Sequence, residues 1–172
     1  TLLVWDMQLV NYGKKIIARR NQFIMELNEV VHDIHHKISG GREEMVIKYE
    51  PNIEDIFFED ELIRAKEKDL KYAQTSVGPH RDDLKISVGD IDVRKFGSQG
   101  QQRSCALSLK LSEIKLVEQT IHDKPVLLLD DVLSELHSNR QNFLIHSIGD
   151  IQPIVTCTGL DEFINNRMNI HK

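Results

Sequence analysis

Two aspartates at the end of an apolar run are the side chains best placed to do chemistry. Val126-Leu127-Leu128-Leu129 reads as a buried parallel strand, and Asp130-Asp131 follows it directly. An acid at the carboxyl end of a strand in an open α/β sheet faces the crevice where ligands bind. In a nucleotide hydrolase the first acid holds Mg²⁺, directly or through water, and the second orients or deprotonates the attacking water. The same pair also occurs as a helix cap or turn.

The segment Phe96-Gly97-Ser98-Gln99-Gly100-Gln101-Gln102-Arg103 lies upstream, just before a helical stretch. Free backbone N–H groups and the helix dipole at such a start make an anion site. Gly100 would let the backbone approach a phosphate closely. In isolation Ser98 is an ordinary N-cap, and the acids that follow one helix later are what favour the anion reading. A third candidate is Gly78-Pro79-His80-Arg81-Asp82-Asp83-Leu84. It is either a solvated turn capped by its aspartates or a loop that sets Arg81 or His80 against a phosphate of nucleotide or DNA.

Other chemistries find little support. No Gly-x-x-x-x-Gly-Lys-Ser/Thr phosphate loop occurs, since Gln8 stands where Gly13-Lys14-Lys15 would need its first glycine. His32 and His36 have the i,i+4 spacing of a zinc pair, but no glutamate follows where a metalloprotease needs one, so they read as a surface pair. Cys105 reads as a small core residue. No Ser-His-Asp or Cys-His arrangement is evident.

The elements that must position these residues follow from periodicity. Leu2, Leu9, Ile16, Phe23 and Val30 recur at heptad spacing beside Leu3, Val10, Ile17, Ile24, Val31 and Ile38, with Leu27 and Ile34 on the same face. That predicts one long helix, ended by Ser39-Gly40-Gly41, with Gly13 as a point where it could kink. It suits a helix packed on a neighbouring element or one arm of a coiled-coil-like hairpin. A short strand is expected over Met45–Tyr49. A charged helix follows from Glu54 to Tyr72, with Ile56, Phe57, Leu62, Ile63 and Leu70 inward. Leu84-Ile86-Val88 and Ile91-Val93 alternate about Gly89-Asp90, a hairpin signal. Gln101 to Ile121 is helical, with Ala106, Leu109, Ile114, Leu116 and Val117 among its apolar positions. Asn139–Ile148 is expected as a helix, Ile154–Thr158 as a second buried strand and Asp161–Met168 as a last helix. Strand and helix alternating in this way imply a parallel sheet with helices around it.

Composition bounds the reading. With 172 residues and 40% apolar content the chain can bury a core. No apolar run approaches the roughly 20 residues of a membrane span. Two cysteines exclude a disulfide scaffold and point to a reducing cytoplasm. A net charge of −5 excludes a globally basic nucleic-acid binder. Local basic candidates are Lys14, Lys15, Arg19 and Arg20 on the first helix, Arg81, and Arg94 with Lys95 after the hairpin.

Taken together, Ser98 to Arg103 resembles the signature motif of ABC-type ATPases. Val126 to Asp131 resembles their Walker B strand with its catalytic acid, and Leu133-Ser134-Glu135-Leu136-His137 their D-loop. With Gly78 to Leu84, the run Ala106 to Leu111 and Lys48-Tyr49-Glu50-Pro51, the whole chain resembles the C-terminal portion of the RecF family of DNA replication and repair proteins. The resemblance implies an α/β fold: a helical subdomain over 1–75, then the C-terminal lobe of an ABC-type ATPase head over 76–172. It implies ATP and Mg²⁺ as cofactors, with Asp130 on the metal and Asp131 positioning the hydrolytic water where most relatives carry Glu. Ser98, Gln99, Gly100 and Gln101 would contact ATP held by a second subunit, and Ser134 and Glu135 would lie across that dimer. It further implies a cytoplasmic, ATP-dependent homodimer on DNA gaps or junctions. Mediator proteins of the RecR and RecO type would be its partners, in recombinase loading, replication restart and SOS induction. Two departures stand out: His137 replaces the usual D-loop Asp, and Thr156-Cys157-Thr158 lacks the switch histidine.

Two other classes stay open: a metal-dependent nuclease using Asp130 and Asp131, and a non-catalytic DNA- or partner-binding module. The chain opens on Thr1 and is expected to be a fragment. On its own it should hydrolyse ATP weakly or not at all, and robust turnover with Asp131 intact would contradict the composite-site reading.

Overall fold

Helix α1 runs unbroken from Leu2 to Ile38 in the computed structural model, which describes residues 2–131, 138–148 and 151–156. Its buried residues Ile17, Ile24, Leu27, Val31 and His35 fall on one face at helical spacing. The chain then reverses through Gly40 (φ 68°) and Gly41 (φ 76°), a left-handed pair that glycine adopts without strain. It enters β1 (Met45–Glu50), whose side chains alternate buried and exposed. A single 3₁₀ turn at Asp55–Phe57 precedes α2 (Phe58–Tyr72), and a second at Pro79–Arg81 precedes β2 (Asp83–Val88). Then come β3 (Ile91–Asp92), the short α3 (Val93–Phe96), the long α4 (Gln99–Ile121), β4 (Leu127–Asp130), α5 (Ser138–Ile148) and β5 (Pro153–Thr156).

Two sheets result. β1, β2 and β3 form an antiparallel sheet in that order, with Ile47 opposite Ile86. β4 and β5 pair in parallel, with Asp130 opposite Thr156. One apolar cluster joins α1 to the antiparallel sheet through Ile24, Val31, Met45, Ile47, Phe58, Val88 and Cys105. A second joins α4, β4 and α5 through Leu107, Leu111, Leu129, Leu144 and Ile148, with Ile34 and Ile38 of α1 packed against it. Helices α1 and α4 therefore pass through both.

On the outer edge of β1 one side chain takes up the backbone groups of Ile47. The Asn28 amide donates to the Ile47 carbonyl at 2.7 Å and accepts from the Ile47 N–H at 2.9 Å. It satisfies an edge backbone as a strand partner would.

Several expectations are corrected. Gly13 is not a kink. It is where α2 crosses α1, and a Cβ there would lie 2.2 Å from the Phe58 ring. In α2 the buried pair is Phe58 and Leu62 while Ile63 and Leu70 are exposed, because only a narrow stripe of α2 meets α1; Ile56 and Phe57, exposed as well, belong to the preceding 3₁₀ turn. Val93 does not continue the hairpin. The Asp92 carboxylate caps the N–H groups of Arg94 and Lys95 and turns the chain into α3. β4 is not buried on both faces. Leu129 is buried, but Leu128 is 71% exposed, since α4 and α5 cover a single face among the described residues. In α4 none of Ala106, Leu109, Ile114, Leu116 and Val117, the apolar positions read from sequence, lies on the buried face, which consists of Ser104, Ser108 and Ser112 beside Cys105, Leu107 and Leu111; Leu109, Ile114 and Leu116 are half-buried, and Ala106 and Val117 are exposed. The last predicted helix and the end of the second predicted strand lie outside the described residues.

The Gly13 contact gives a direct test. Gly13→Ala should destabilise the chain by about 1–3 kcal/mol through overpacking against Phe58, although alanine is the better helix former. Urea unfolding of the variant beside the parent measures it.

Candidate functional site

The turn before α4 is built by reciprocal capping. Ser98 has extended backbone angles, and its Oγ accepts from the Gln101 N–H at 3.2 Å. The Gln101 Oε1 accepts from the Ser98 N–H at 3.0 Å, which completes a capping box. The Gln102 side chain donates to the Val93 and Gly97 carbonyls and fastens the turn to α3. Helix geometry leaves the first-turn N–H groups of Gln99 and Gly100 without carbonyl partners inside α4, so the turn presents donors and positive potential outward. A Cβ at Gly100 would meet only ordinary contacts: Arg140 Nη2 at 3.6 Å, Ser98 Oγ at 3.8 Å and Arg140 Nη1 at 3.9 Å. Fold packing therefore does not demand glycine here.

Arg140 of α5 was not legible as a site residue. It is a single arginine in a polar helix start, and only the fold brings its guanidinium to Gly100. Glu43 is a second missed residue, for its Oε1 accepts from Gln101 Nε2 at 3.0 Å.

The acids occupy the other structured part of the lobe. Asp130 is exposed at the end of β4, and the Thr156 hydroxyl of β5 donates to its Oδ1. Asp131 has φ 51°, and its N–H donates to the Thr156 carbonyl at 3.0 Å and to Thr156 Oγ1 at 3.1 Å. Parallel pairing with β5 thus fixes both acids at one strand end. An apolar groove of about 510 Å³ runs beside β4, with Arg103, Lys110 and Asp130 among its lining residues. The D-loop candidates Ser134 and Glu135 lie outside the described residues. Among the described residues no three His, Cys, Asp or Glu side chains are arranged to hold a metal ion. His32 and His36 stack on each other with ring centroids 6.4 Å apart.

The Gly78–Leu84 segment is tied into the fold through Asp82. This carboxylate, 3% exposed, accepts from Arg20 Nη1 at 2.7 Å, from the Asn52 N–H at 2.9 Å and from the Tyr49 hydroxyl. Burial, then the bond to Asp82, pushes the Tyr49 phenol up to about 12. The His80 ring nitrogen Nε2 donates to the Thr75 carbonyl at 2.8 Å. Arg81 is exposed. Of the basic candidates, Arg19 pairs with Glu26, Arg20 with Asp82, Arg94 with Asp83 and Lys95 with Asp92. The Lys15 ammonium lies 5.5 Å from the Tyr12 ring centroid, and Lys14 is half-buried.

No protein-family model matches the chain. Whole-chain comparison is decisive instead. It is 63% identical over 172 residues to the DNA replication and repair protein RecF of Agathobacter rectalis, covering all of this chain and 48% of that protein. The chain belongs to the RecF family. The RecF protein of Lachnoclostridium phytofermentans is 54% identical over 168 residues, 98% of this chain and 47% of that protein. A solved structure of the recombination mediator protein RecF with ATP, in the RecFOR pathway, superposes with a TM-score of 0.78 at 36% identity. It covers 92% of this chain and 45% of the other. The chain thus spans about half the length of its curated RecF relatives. Its α/β architecture is that of the solved RecF structures, and the antiparallel sheet with α1 belongs to the same match. Among the described residues no helix is long and apolar enough to cross a membrane.

Because Gly100 is not required by packing, Gly100→Ala should leave thermal stability unchanged or raise it by about 0.5–1 kcal/mol, as alanine does in a helix. Differential scanning calorimetry reads this, and a marked loss would show that the turn's backbone depends on glycine.

Proposed function

We propose that this chain carries the signature-and-acid half of an ATP-dependent DNA recombination-repair protein. The observation that carries the reading is the Ser98–Gln101 capping box. It holds a helix start with outward N–H donors in a chain whose fold matches RecF bound to ATP. ATP would be held between two copies. A phosphate-cradling loop, which these 172 residues do not contain, would carry the nucleotide elsewhere in one full-length copy, and Ser98, Gln99, Gly100 and Gln101 of the other would close on its terminal phosphate. Arg140 adds a guanidinium beside Gly100 that can neutralise phosphate charge.

The acids fit the remaining roles. Asp130 is exposed, with one oxygen held by Thr156, and it suits a Mg²⁺ ion that keeps most of its ligands from water and phosphate. When bound, the ion would neutralise developing phosphate charge. Asp131 would orient the attacking water from a backbone pinned to β5 through Thr156. Ser134 and Glu135 would complete the contact across the dimer.

ATP-driven closure of two copies would clamp DNA. Lys14 and Lys15 on α1 and Arg81 after α2 are proposed as its phosphate contacts. Arg19, Arg20, Arg94 and Lys95 would contribute only as far as their carboxylate partners release them. Gap or junction DNA, mediators of the RecR and RecO type, and a cytoplasmic role in recombinase loading, replication restart and SOS induction belong to the same proposal.

Ser98→Asp tests it. Aspartate is as good an N-cap as serine, so the fold should persist. Its charge would face the terminal phosphate, and ATP-dependent dimerisation of the full-length protein should be lost, with unchanged circular dichroism. Sedimentation velocity with and without ATP measures this. Undiminished dimerisation in the variant would sink the reading.

A further inference from the structure

We propose that Glu43 is a positioning residue for the signature turn, holding the Gln101 amide from the loop between α1 and β1. The inference rests on the nucleotide reading of that turn and adds what holds it in place. The sequence sets Glu43 in the loop between α1 and β1, distant from α4 along the chain. The fold brings it back. Gly41 N–H donates to the His36 carbonyl at 2.7 Å, the Ser39 hydroxyl donates to the Glu43 carbonyl at 3.4 Å, and Gly89 N–H donates to the Glu44 carbonyl at 2.9 Å. The loop is therefore fastened on both sides of Glu43.

The carboxylate then divides its oxygens. Oε1 accepts from Gln101 Nε2 at 3.0 Å. Gln101 uses its Oε1 on the Ser98 N–H and Ser98 hydroxyl, so orienting this amide orients the whole box. Oε2 lies 3.6 Å from His35 Nε2, beyond a hydrogen bond. His35 is fully buried, and this Nε2 is a buried side-chain atom without a hydrogen-bond partner.

Hydrogen-bond bookkeeping explains the orphan. The Ser108 hydroxyl spends its proton on the Ser104 carbonyl at 2.8 Å. Toward His35 Nδ1, at 2.9 Å, it must accept, so Nδ1 carries the imidazole proton. Nε2 of the neutral ring is then a lone pair facing a carboxylate oxygen, and two acceptors do not bond. Burial, opposed by Glu43 and reinforced by the Arg140 charge, holds the His35 pKa below its ordinary value and disfavours the proton that would close the gap.

This arrangement makes the two obvious variants differ. In Glu43→Gln the amide oxygen can still accept from Gln101, and the amide nitrogen can donate to His35 Nε2, so every group is partnered. In Glu43→Ala the link to Gln101 is gone and His35 Nε2 stays unpartnered. In the full-length protein, Glu43→Ala should weaken ATP-dependent dimerisation roughly tenfold, the scale of one lost hydrogen bond to a charged group. It should also raise the apparent KM for ATP, and speed amide hydrogen exchange in the peptide spanning Ser98–Gln101 without nucleotide. Glu43→Gln should restore all three. Equal behaviour of the two variants, or a Glu43→Ala protein indistinguishable from the parent, would overturn the proposal. Ser98→Asp serves as the reference. If it abolishes dimerisation while Glu43→Ala does nothing, positioning alone fails. If Ser98→Asp is silent, the nucleotide reading fails, and the role of Glu43 at an ATP site falls with it.

Discussion

Three serines on one face of α4 set how α1 can lie against it. Ser104, Ser108 and Ser112 are almost wholly inaccessible, and each hydroxyl donates to the carbonyl four residues earlier, at 2.9, 2.8 and 2.7 Å. A stripe of such residues buries little apolar area of its own. It leaves no unsatisfied hydroxyl, and it gives room to the larger side chains of α1, among them the fully buried Val31 and His35. Both apolar clusters draw on this contact. Ile24, Leu27 and Val31 lie in one, and Ile34 and Ile38 of the same helix pack against the other. The antiparallel sheet and the lobe with the two acids are thus held together through the α1–α4 seam. The turn at the head of α4 inherits its placement from that seam.

The same serines explain what the sequence could and could not disclose. The long helix was legible because heptad-spaced apolar residues leave few other folds open to Leu2–Ile38. The hairpin at Gly89-Asp90 and the parallel pair β4–β5 were legible for equally local reasons, alternation and a short apolar run. The buried face of α4 was not, since a serine stripe looks like solvent-facing surface when hydrophobicity is the guide. The capped turn and the paired acids could be picked out by residue type. Their supporting groups could not. Glu43, Asn28 and Arg140 come from distant segments, and nothing in their own neighbourhoods marks them. Phe58 illustrates the same limit, for its burial depends on the missing side chain of Gly13 in another helix.

Charge is arranged locally in this acidic chain. Most arginines near the hairpin and on α1 face a carboxylate. At the start of α4 the helix dipole, Arg140 and the Glu43 carboxylate act on the same turn. Asp82 shows the opposite use of charge. Three donors from α1, β1 and the loop after β1 converge on one buried carboxylate, and an otherwise irregular segment becomes a fixed corner.

Asp131 has a left-handed backbone, with φ 51°. Residues without glycine's freedom tolerate that region unequally, and aspartate and asparagine do so far better than longer or branched side chains. The position is therefore asymmetric under mutation. Its carboxylate can be neutralised at little conformational cost, by asparagine, whereas extending it by one methylene to glutamate works against the main chain. A short acid is thus the one that suits this backbone best, so main-chain geometry and the reach of the carboxylate are coupled at a single position.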